Sequence, residues 1–197
     1  MALLLGSGIV FASTDDSDPR RESAARIAVG TCAGCHGARG VSTQPKFPNL
    51  AGQSAGYLAT QLKAFKARTR NEPDALAYMW GIAGSLDEQE IAGLAEYYAS
   101  QSPAEGVRRH PTEEARGKRI FETGIPAQHV APCFGCHGAN AEGSIDFPRL
   151  AGQREPYFVS QMRAFQRRLR SGDTMQAIAG GLKDEDLQAL AAYVKSR

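Results

Sequence analysis

The chain has 197 residues, of which 42% are hydrophobic and 22% charged, and a formal net charge of +2. This length and composition describe an ordinary soluble protein with room for two small domains. The near-neutral charge argues against nucleic acid as a partner, and no segment after residue 12 is apolar enough to predict a membrane span.

The chain begins with an apolar run, MALLLGSGIVFA, which is followed at once by an acidic segment from Ser13 to Asp18. The run is too short for a transmembrane helix but suits the core of a signal peptide with a cleavage site after Ala12. It lacks the basic residues with which signal peptides normally start, so a retained anchor stays open as an alternative. We predict a signal peptide at residues 1–12, export of the protein, and a periplasmic location.

Two short motifs of the form Cys-x-x-Cys-His contain every cysteine of the chain: Cys32, Cys35 and His36, then Cys133, Cys136 and His137. This spacing is the attachment signature of haem c, in which two thiols add to the porphyrin and the histidine binds the iron. A zinc site would have to join two cysteine pairs about a hundred residues apart, and a thioredoxin-like site would need a βαβ context. We predict two covalent haem c groups, with structural disulfides as the main alternative.

The methionines are few enough to compare one by one. Met1 belongs to the predicted signal peptide, and Met162 occupies the position that Leu62 holds in the other half, which indicates core packing. Met79 and Met175 align with each other, and each lies downstream of its own Cys-x-x-Cys-His motif. A lone methionine often does no more than fill a core. Duplication in register favours Met79 and Met175 as axial ligands of the two irons.

The motifs are part of an internal repeat with a period of about a hundred residues. Residues 47–53, FPNLAGQ, recur as FPRLAGQ at 147–153, and a period of this length indicates a duplicated domain and not a solenoid. Prolines, glycine and charges mark the segment between the copies as an exposed linker. We predict cytochrome-sized domains at 13–101 and 113–197, joined by a linker at 102–112.

Hydrophobic periodicity predicts helices throughout and no competing strand alternation. The expected helices lie at about 21–29, 54–68, 86–98, 113–122, 155–168 and 182–194. A cap is expected at Thr112 and a capping box at Asp87 and Glu90. The sequence therefore predicts an all-α fold with two tandem domains, each wrapped around a haem. Because such domains have small cores, the apoprotein is expected not to fold stably.

Basic residues are concentrated at the ends of the two middle helices: Lys63, Lys66, Arg68 and Arg70 in the first half, and Arg163, Arg167, Arg168 and Arg170 in the second. We predict solvated helix ends that favour the helix dipole, with docking of an acidic partner as the alternative. His110 and His129 are expected at the surface. His129 is the alternative to Met175, because the second interval from haem histidine to methionine is five residues shorter (175 − 137 = 38 against 79 − 36 = 43).

From residue 13 onward the chain resembles the diheme cytochrome c4 family, and each half resembles a class I cytochrome c. The resemblance lies in the paired haem motifs, the duplicated Pro-x-Leu-Ala-Gly-Gln segment, the duplicated methionine, and the run 117–121, GKRIF. It implies that Pro48 and Pro148 offer carbonyl groups to the haem histidines. It also implies a contact between glycine and an aromatic residue where the terminal helices cross, with Tyr97 and Tyr193 as candidates, and domains that pack with their haem edges close together.

The resemblance further implies an electron-transfer protein and not an enzyme, since His/Met ligation leaves no open iron position. The implied partners are redox proteins, some of them membrane-bound: a quinol-oxidising cytochrome bc complex as donor and a terminal oxidase as acceptor. No small-molecule substrate is expected. The alternative is an electron-accepting subunit of a dehydrogenase, such as flavocytochrome c sulfide dehydrogenase. A diheme peroxidase would need one open haem, which the two matched methionines argue against.

Overall fold

A computed structural model describes residues 18–145 and 147–197, which form two helical domains without a β-strand. The predicted all-α fold is therefore confirmed. The predicted signal peptide and the predicted start of the first domain at residue 13 lie outside the described residues. Within these two ranges, no helix combines the length and the hydropathy needed to cross a bilayer.

The two domains repeat the same order of helices. The first contains α1 (Pro19–Ile27), a π-helical turn (Ala28–Cys32), α2 (Ala33–His36), α3 (Ala55–Lys66), a second π-helical turn (Ala75–Met79), α4 (Trp80–Gly84) and α5 (Glu88–Ala99). The second contains α6 (Pro111–Thr123), a 3-10 turn (Pro126–Gln128), α7 (Phe134–His137), α8 (Glu155–Gln166), α9 (Asp173–Gly180) and α10 (Asp184–Lys195).

The first and last helices of each domain pack across each other, α1 on α5 and α6 on α10, and α3 and α8 close the other side. The apolar face predicted for each last helix is buried: Ile91, Leu94, Ala95 and Tyr98 in α5, and Leu187, Leu190, Ala191 and Val194 in α10. Burial of these faces supplies the main apolar contact inside each domain.

Glycine allows the terminal helices of the second domain to approach closely. A Cβ atom on Gly117 in α6 would overlap the carbonyl oxygen of Ala189 and lie 2.8 Å from Tyr193 Cβ. In the first domain the glycine is on the other helix, since Gly93 of α5 faces Ala24 of α1. Tyr193 therefore lies at the helix crossing, as the resemblance implied.

The helix starts differ in how well the sequence predicted them. The capping box of α5 is present, with Glu90 N donating to Asp87 Oδ1 and Asp87 N donating to Glu90 Oε2, each at 2.8 Å. The cap predicted at Thr112 is wrong, because α6 begins at Pro111, two residues before the predicted start at 113, and His110 holds the cap position. The buried carboxylate of Glu114 accepts hydrogen bonds instead from the backbone N–H groups of Arg109 and His110. These two donors, which lie just before the helix, would otherwise have no intrahelical partner.

Candidate functional site

The histidine of each Cys-x-x-Cys-His motif ends a four-residue helix and is almost fully buried. His36 and His137 are both 7% exposed. Their Nδ1 atoms lie 3.0 Å from the carbonyl oxygen of Pro48 and 2.9 Å from that of Pro148. A carbonyl oxygen can only accept a hydrogen bond, so Nδ1 carries the proton and Nε2 keeps a free lone pair. The same arrangement therefore occurs twice, with an unprotonated ring nitrogen free to bind a metal in each domain.

Electrostatics keeps both rings in the neutral form that binds a metal. Burial lowers the pKa of His36 and of His137, and outweighs the opposite effect of the hydrogen bonds to the proline carbonyl groups. The edge of Phe47 packs on His36 at 6.0 Å between ring centroids, and Phe147 packs on His137 at 6.3 Å. Each imidazole is thus oriented by one carbonyl group and one aromatic ring.

The four cysteines are free thiols, so the structure contains no disulfide that would support that alternative. Burial raises the pKa of Cys32, and raises that of Cys133 to about 11. Both thiols are therefore protonated at neutral pH in the protein without haem. Among residues 18–145 and 147–197, no three His, Cys, Asp or Glu side chains form a cluster that could hold a metal ion.

The two methionine segments differ in length, but each is held by a hydrogen bond from the side chain that follows the methionine to a backbone carbonyl group. Trp80, which follows Met79, donates from Nε1 to the carbonyl oxygen of Arg70 at 2.8 Å. Gln176, which follows Met175, donates from Nε2 to the carbonyl oxygen of Arg170 at 2.9 Å. The first segment takes up its four extra residues (79 − 70 = 9 against 175 − 170 = 5) partly in the π-helical turn that ends at Met79.

A continuous cavity of about 470 Å³ extends through both domains. It is lined by most of the predicted site residues: Cys32, His36, Pro48, Met79, Cys133, Cys136, His137, Pro148 and Met175. Cys35 is half-buried and lies outside this lining. His110 and His129 are exposed and also lie outside it. Met162 is buried in the core of the second domain and forms part of the cavity wall.

Two glutamines of the repeated segment join the domains across a pseudo-twofold axis. The side chain of Gln53 donates to the carbonyl oxygen of Arg149 and accepts from its N–H group, at 2.9 and 2.8 Å. Gln153 makes the same pair of bonds to Asn49, at 3.0 and 2.9 Å. Each residue of the first domain thus makes the same hydrogen bonds to the second domain as the residue 100 positions later makes to the first. This is the pattern found in the interface of a symmetric dimer.

The basic residues at the helix ends are not all solvated, so this prediction is wrong for Arg70 and Arg170. They are 3% and 6% exposed. Both donate to Gln61 Oε1, each at 3.0 Å, and to Gln161 Oε1, at 2.6 and 2.8 Å. Arg170 also donates to the hydroxyl of Tyr57 at 2.5 Å.

Two guanidinium groups thus lie side by side at the domain interface, and both line the cavity. Sequence reasoning placed them on the surface because they follow amphipathic helices. The signal that could have found them is their duplication in register, together with that of Gln61 and Gln161.

Unpaired polar atoms in the cavity wall indicate that a polar group belongs inside. Tyr98 Oη and Arg149 Nε are buried and have no hydrogen-bond partner among the described residues. An unpaired buried donor costs roughly 1–3 kcal/mol. Haem c fits this wall, because it is apolar over most of its surface and carries carboxylates. The cavity is also lined by a thiol and an imidazole in the first domain, Cys32 and His36, and by two thiols and an imidazole in the second, Cys133, Cys136 and His137.

The chain is similar to known proteins over both domains. The cytochrome c family model matches residues 22–102 and 114–197. Cytochrome c-552 of Acidithiobacillus ferridurans is 36% identical over 202 residues, which cover 99% of this chain and 84% of that protein. Cytochrome c4 of Pseudomonas aeruginosa is 34% identical, with 99% and 95% covered. The structure of cytochrome c4 from Acidithiobacillus ferrooxidans gives a TM-score of 0.79 at 34% identity, with 89% and 99% covered.

Proteins of thiosulfate oxidation are similar to the same extent. The thiosulfate dehydrogenase electron acceptor of Thiomonas intermedia is 34% identical over 191 residues, which cover 91% of this chain and 84% of that protein. The structure of thiosulfate dehydrogenase from Marichromatium purpuratum gives a TM-score of 0.78 at 32% identity, covering 89% of this chain and 40% of that one.

Proposed function

The chain belongs to the cytochrome c family, and from that premise we propose that it carries single electrons between respiratory complexes in the periplasm. It is an electron-transfer protein of the cytochrome c4 type, with two covalently attached haem c groups and redox proteins as partners. The proposed route begins at a quinol-oxidising cytochrome bc complex and ends at a terminal oxidase.

The observation that carries the proposal is the pair of buried histidines with protonated Nδ1, which line one cavity together with the two duplicated methionines. Haem c, when bound, supplies a reversible one-electron couple. In the proposed site Cys32 and Cys35 hold one haem, and Cys133 and Cys136 hold the other.

The proposed axial ligands are the histidine and the methionine of each domain. The two irons would be held by the free Nε2 atoms of His36 and His137 and by the thioethers of Met79 and Met175. Pro48 and Pro148 orient the imidazoles and increase the electron density on the binding nitrogen. Thioether ligation favours the ferrous state, and two filled axial positions leave no place for a substrate.

Replacement of each methionine tests this ligation. Met79→Ala and Met175→Ala should each abolish about half of the weak red charge-transfer band that methionine gives on ferric haem, and should lower one of two midpoint potentials in an optical redox titration. Met162→Leu is the matched control, because Leu62 occupies that position in the first domain. A full band in Met175→Ala would contradict the assignment and turn attention to His129.

A second candidate function is electron acceptor of a dehydrogenase, which the likeness to the Thiomonas intermedia protein favours. The resemblance implies a subunit of a sulfide dehydrogenase as the alternative. The similar proteins instead favour a thiosulfate dehydrogenase as the enzyme that donates the electrons. Stopped-flow reduction of the oxidised protein separates the routes. Rapid reduction by a bc complex with quinol supports the respiratory carrier. Rapid reduction only by a thiosulfate dehydrogenase with thiosulfate supports the second function and excludes the first.

A further inference from the structure

Met79 is attached through both of its sequence neighbours, Tyr78 before it and Trp80 after it. The indole Nε1 of Trp80 donates to the carbonyl oxygen of Arg70 at 2.8 Å. The hydroxyl oxygen of Tyr78 accepts a hydrogen bond from Nζ of Lys46 at 2.7 Å. Tyr78 and Met79 are the last two residues of the second π-helical turn, and Trp80 begins α4. The backbone around Met79 is therefore held at two points.

Lys46 and Tyr78 belong to a column of side chains that ends at the haem histidine. The ring of Tyr78 packs against Phe47 in a T-shaped arrangement with 5.4 Å between centroids, and Phe47 packs in the same way on His36. The ammonium group of Lys46 lies 4.5 Å from the ring centroid of Tyr78 and 5.2 Å from that of Phe47. Edge-to-face rings attract each other, and a cation is attracted to a ring. The column thus connects the turn that ends at Met79 with the imidazole of His36.

The column lines the cavity and is in contact with solvent. Tyr78 is 39% exposed, and the side chain of Lys46 is 48% exposed. Asp74, at the start of the same turn, lies 3.9 Å from the ammonium group. Such an exposed ion pair contributes little, because water screens it. The hydrogen bond to Tyr78 and the ring contacts therefore supply most of the attachment.

The second domain has different residues at both places. Thr174 precedes Met175 where the first domain has Tyr78, and Asp146 stands where it has Lys46. A threonine has no ring to stack, and an aspartate has no ammonium group to donate. The methionine segment of the first domain is also four residues longer (79 − 70 = 9 against 175 − 170 = 5). A longer segment loses more conformational entropy when it is held in one place, so the additional attachment occurs where it is needed more.

We propose that Lys46 and Tyr78 are positioning residues that keep Met79 on the first iron and so keep the first haem closed to small ligands. This inference rests on the proposed ligation by Met79. An iron with two filled axial positions accepts a foreign ligand only after one of them is vacated. Because Tyr78 adjoins Met79, the turn cannot move away without breaking the hydrogen bond from Lys46 and the contact with Phe47.

The test is the rate at which cyanide binds to the ferric holoprotein, with each kinetic phase assigned to its domain from the NMR signals of the haem methyl groups. Tyr78→Phe removes the hydroxyl group but keeps the ring, and should accelerate binding at the first haem about threefold. Lys46→Ala removes the donor and the cation, and should accelerate it on the order of tenfold. Lys46→Arg keeps a cation and its donors, and should restore most of the slow rate. The rate at the second haem should not change.

Two residues of the first domain that lie outside the cavity lining provide matched controls. Tyr97→Phe removes a hydroxyl group that donates to the carbonyl oxygen of Ala38 at 3.1 Å, and Lys63→Ala removes an exposed cation that pairs with Glu88. Each should change the cyanide rate less than about twofold.

Four outcomes would overturn the inference. They are equal acceleration in the controls, an unchanged rate in both Lys46→Ala and Tyr78→Phe, equal acceleration at both haems, and a loss of thermal stability with no change in the cyanide rate. The last outcome would show that Lys46 and Tyr78 stabilise the domain without positioning Met79.

The methionine charge-transfer band distinguishes failure of this inference from failure of the proposed function. If both haems of the wild-type protein give the band but the cyanide rate does not depend on Lys46 and Tyr78, the proposed ligation stands and only the inference is lost. If the first haem of the wild-type protein lacks the band, ligation by Met79 and the positioning role both fail.

Discussion

The two domains build the same haem pocket with exchanged side chains. In the first domain the π-helical turn that continues α1 carries the small Ala28 and α5 the large Tyr98. In the second domain α6 carries the large Phe121 and α10 the smaller Val194. All four are at most 4% exposed. The same exchange occurs at the helix crossing, where Gly93 faces Ala24 and Gly117 faces Ala189. The repeat therefore preserves the volume between the helices and not the residue at each position.

The domains are unequal in core size, and removal of the haem should exaggerate this difference. The buried apolar cluster of the first domain has 7 residues and that of the second has 17, so the first depends more on its cofactor. The double change Cys32→Ser and Cys35→Ser should unfold the first domain. Cys133→Ser with Cys136→Ser should leave a weakly ordered second domain. Far-UV circular dichroism with thermal melting measures both, and native-like cooperative unfolding without haem would refute the dependence.

Because the glycine of the helix crossing lies on the first helix in one domain and on the last helix in the other, a glycine-to-alanine substitution should destabilise the two domains unequally. Gly117→Ala should destabilise the second domain by about 1–3 kcal/mol, because the new methyl group overlaps Ala189 and crowds Tyr193. Gly93→Ala places its methyl group 3.1 Å from Ala24 Cβ, a contact that a small helix shift relieves. The gain in helix propensity of about 1 kcal/mol should then offset most of the cost. Denaturant unfolding of both variants checks this, and equal losses would show that the crossings are equivalent after all.

At acid pH, protonation of the Glu114 carboxylate should lower the stability of the second domain at the start of α6. Burial raises the pKa of this carboxyl group, but the backbone N–H groups of Arg109 and His110 and the guanidinium of Arg108 outweigh it and lower the pKa below its ordinary 4.5. The stabilisation is therefore complete above pH 4.5 and is lost as the pH falls through the lowered value.

Glu114→Gln should cost about 1 kcal/mol at neutral pH and flatten the dependence on acid, as measured by thermal melts between pH 3 and pH 7 (roughly the range over which a carboxyl group titrates). Asp18→Asn at the start of α1 is the control in the first domain. An unaltered acid slope in Glu114→Gln would mean that another carboxyl group causes it.

The smallest effects are expected at a surface ion pair that occurs at the equivalent place in each domain. Lys63 contacts Glu88 at 2.6 Å, and Arg163 contacts Asp184 at 3.0 Å, with all four side chains substantially exposed. Lys63→Ala and Arg163→Ala should each change the free energy of unfolding by less than about 1 kcal/mol, and less still in high salt. A larger loss in one domain would indicate a role in docking, which stopped-flow rates at several ionic strengths would then measure.

The sequence by itself determined the parts that depend on local pattern. The spacing of the two Cys-x-x-Cys-His motifs predicted two haems, helical periodicity predicted the fold, and Asp87 with Glu90 predicted a helix start, because each depends on residues a few positions apart. The start of α6 was predicted two residues late, at 113 and not at Pro111, because the backbone N–H groups before the helix are bound by Glu114 and not by a cap at Thr112.

Only the tertiary structure decided which charged residues are buried. Arg70 and Arg170 follow surface-like helices, and a sequence pattern cannot show that two such ends meet across an interface and share Gln61 and Gln161. Burial of charge depends on contacts between residues about a hundred positions apart, which are fixed by packing of the two domains and leave no local periodicity in the chain.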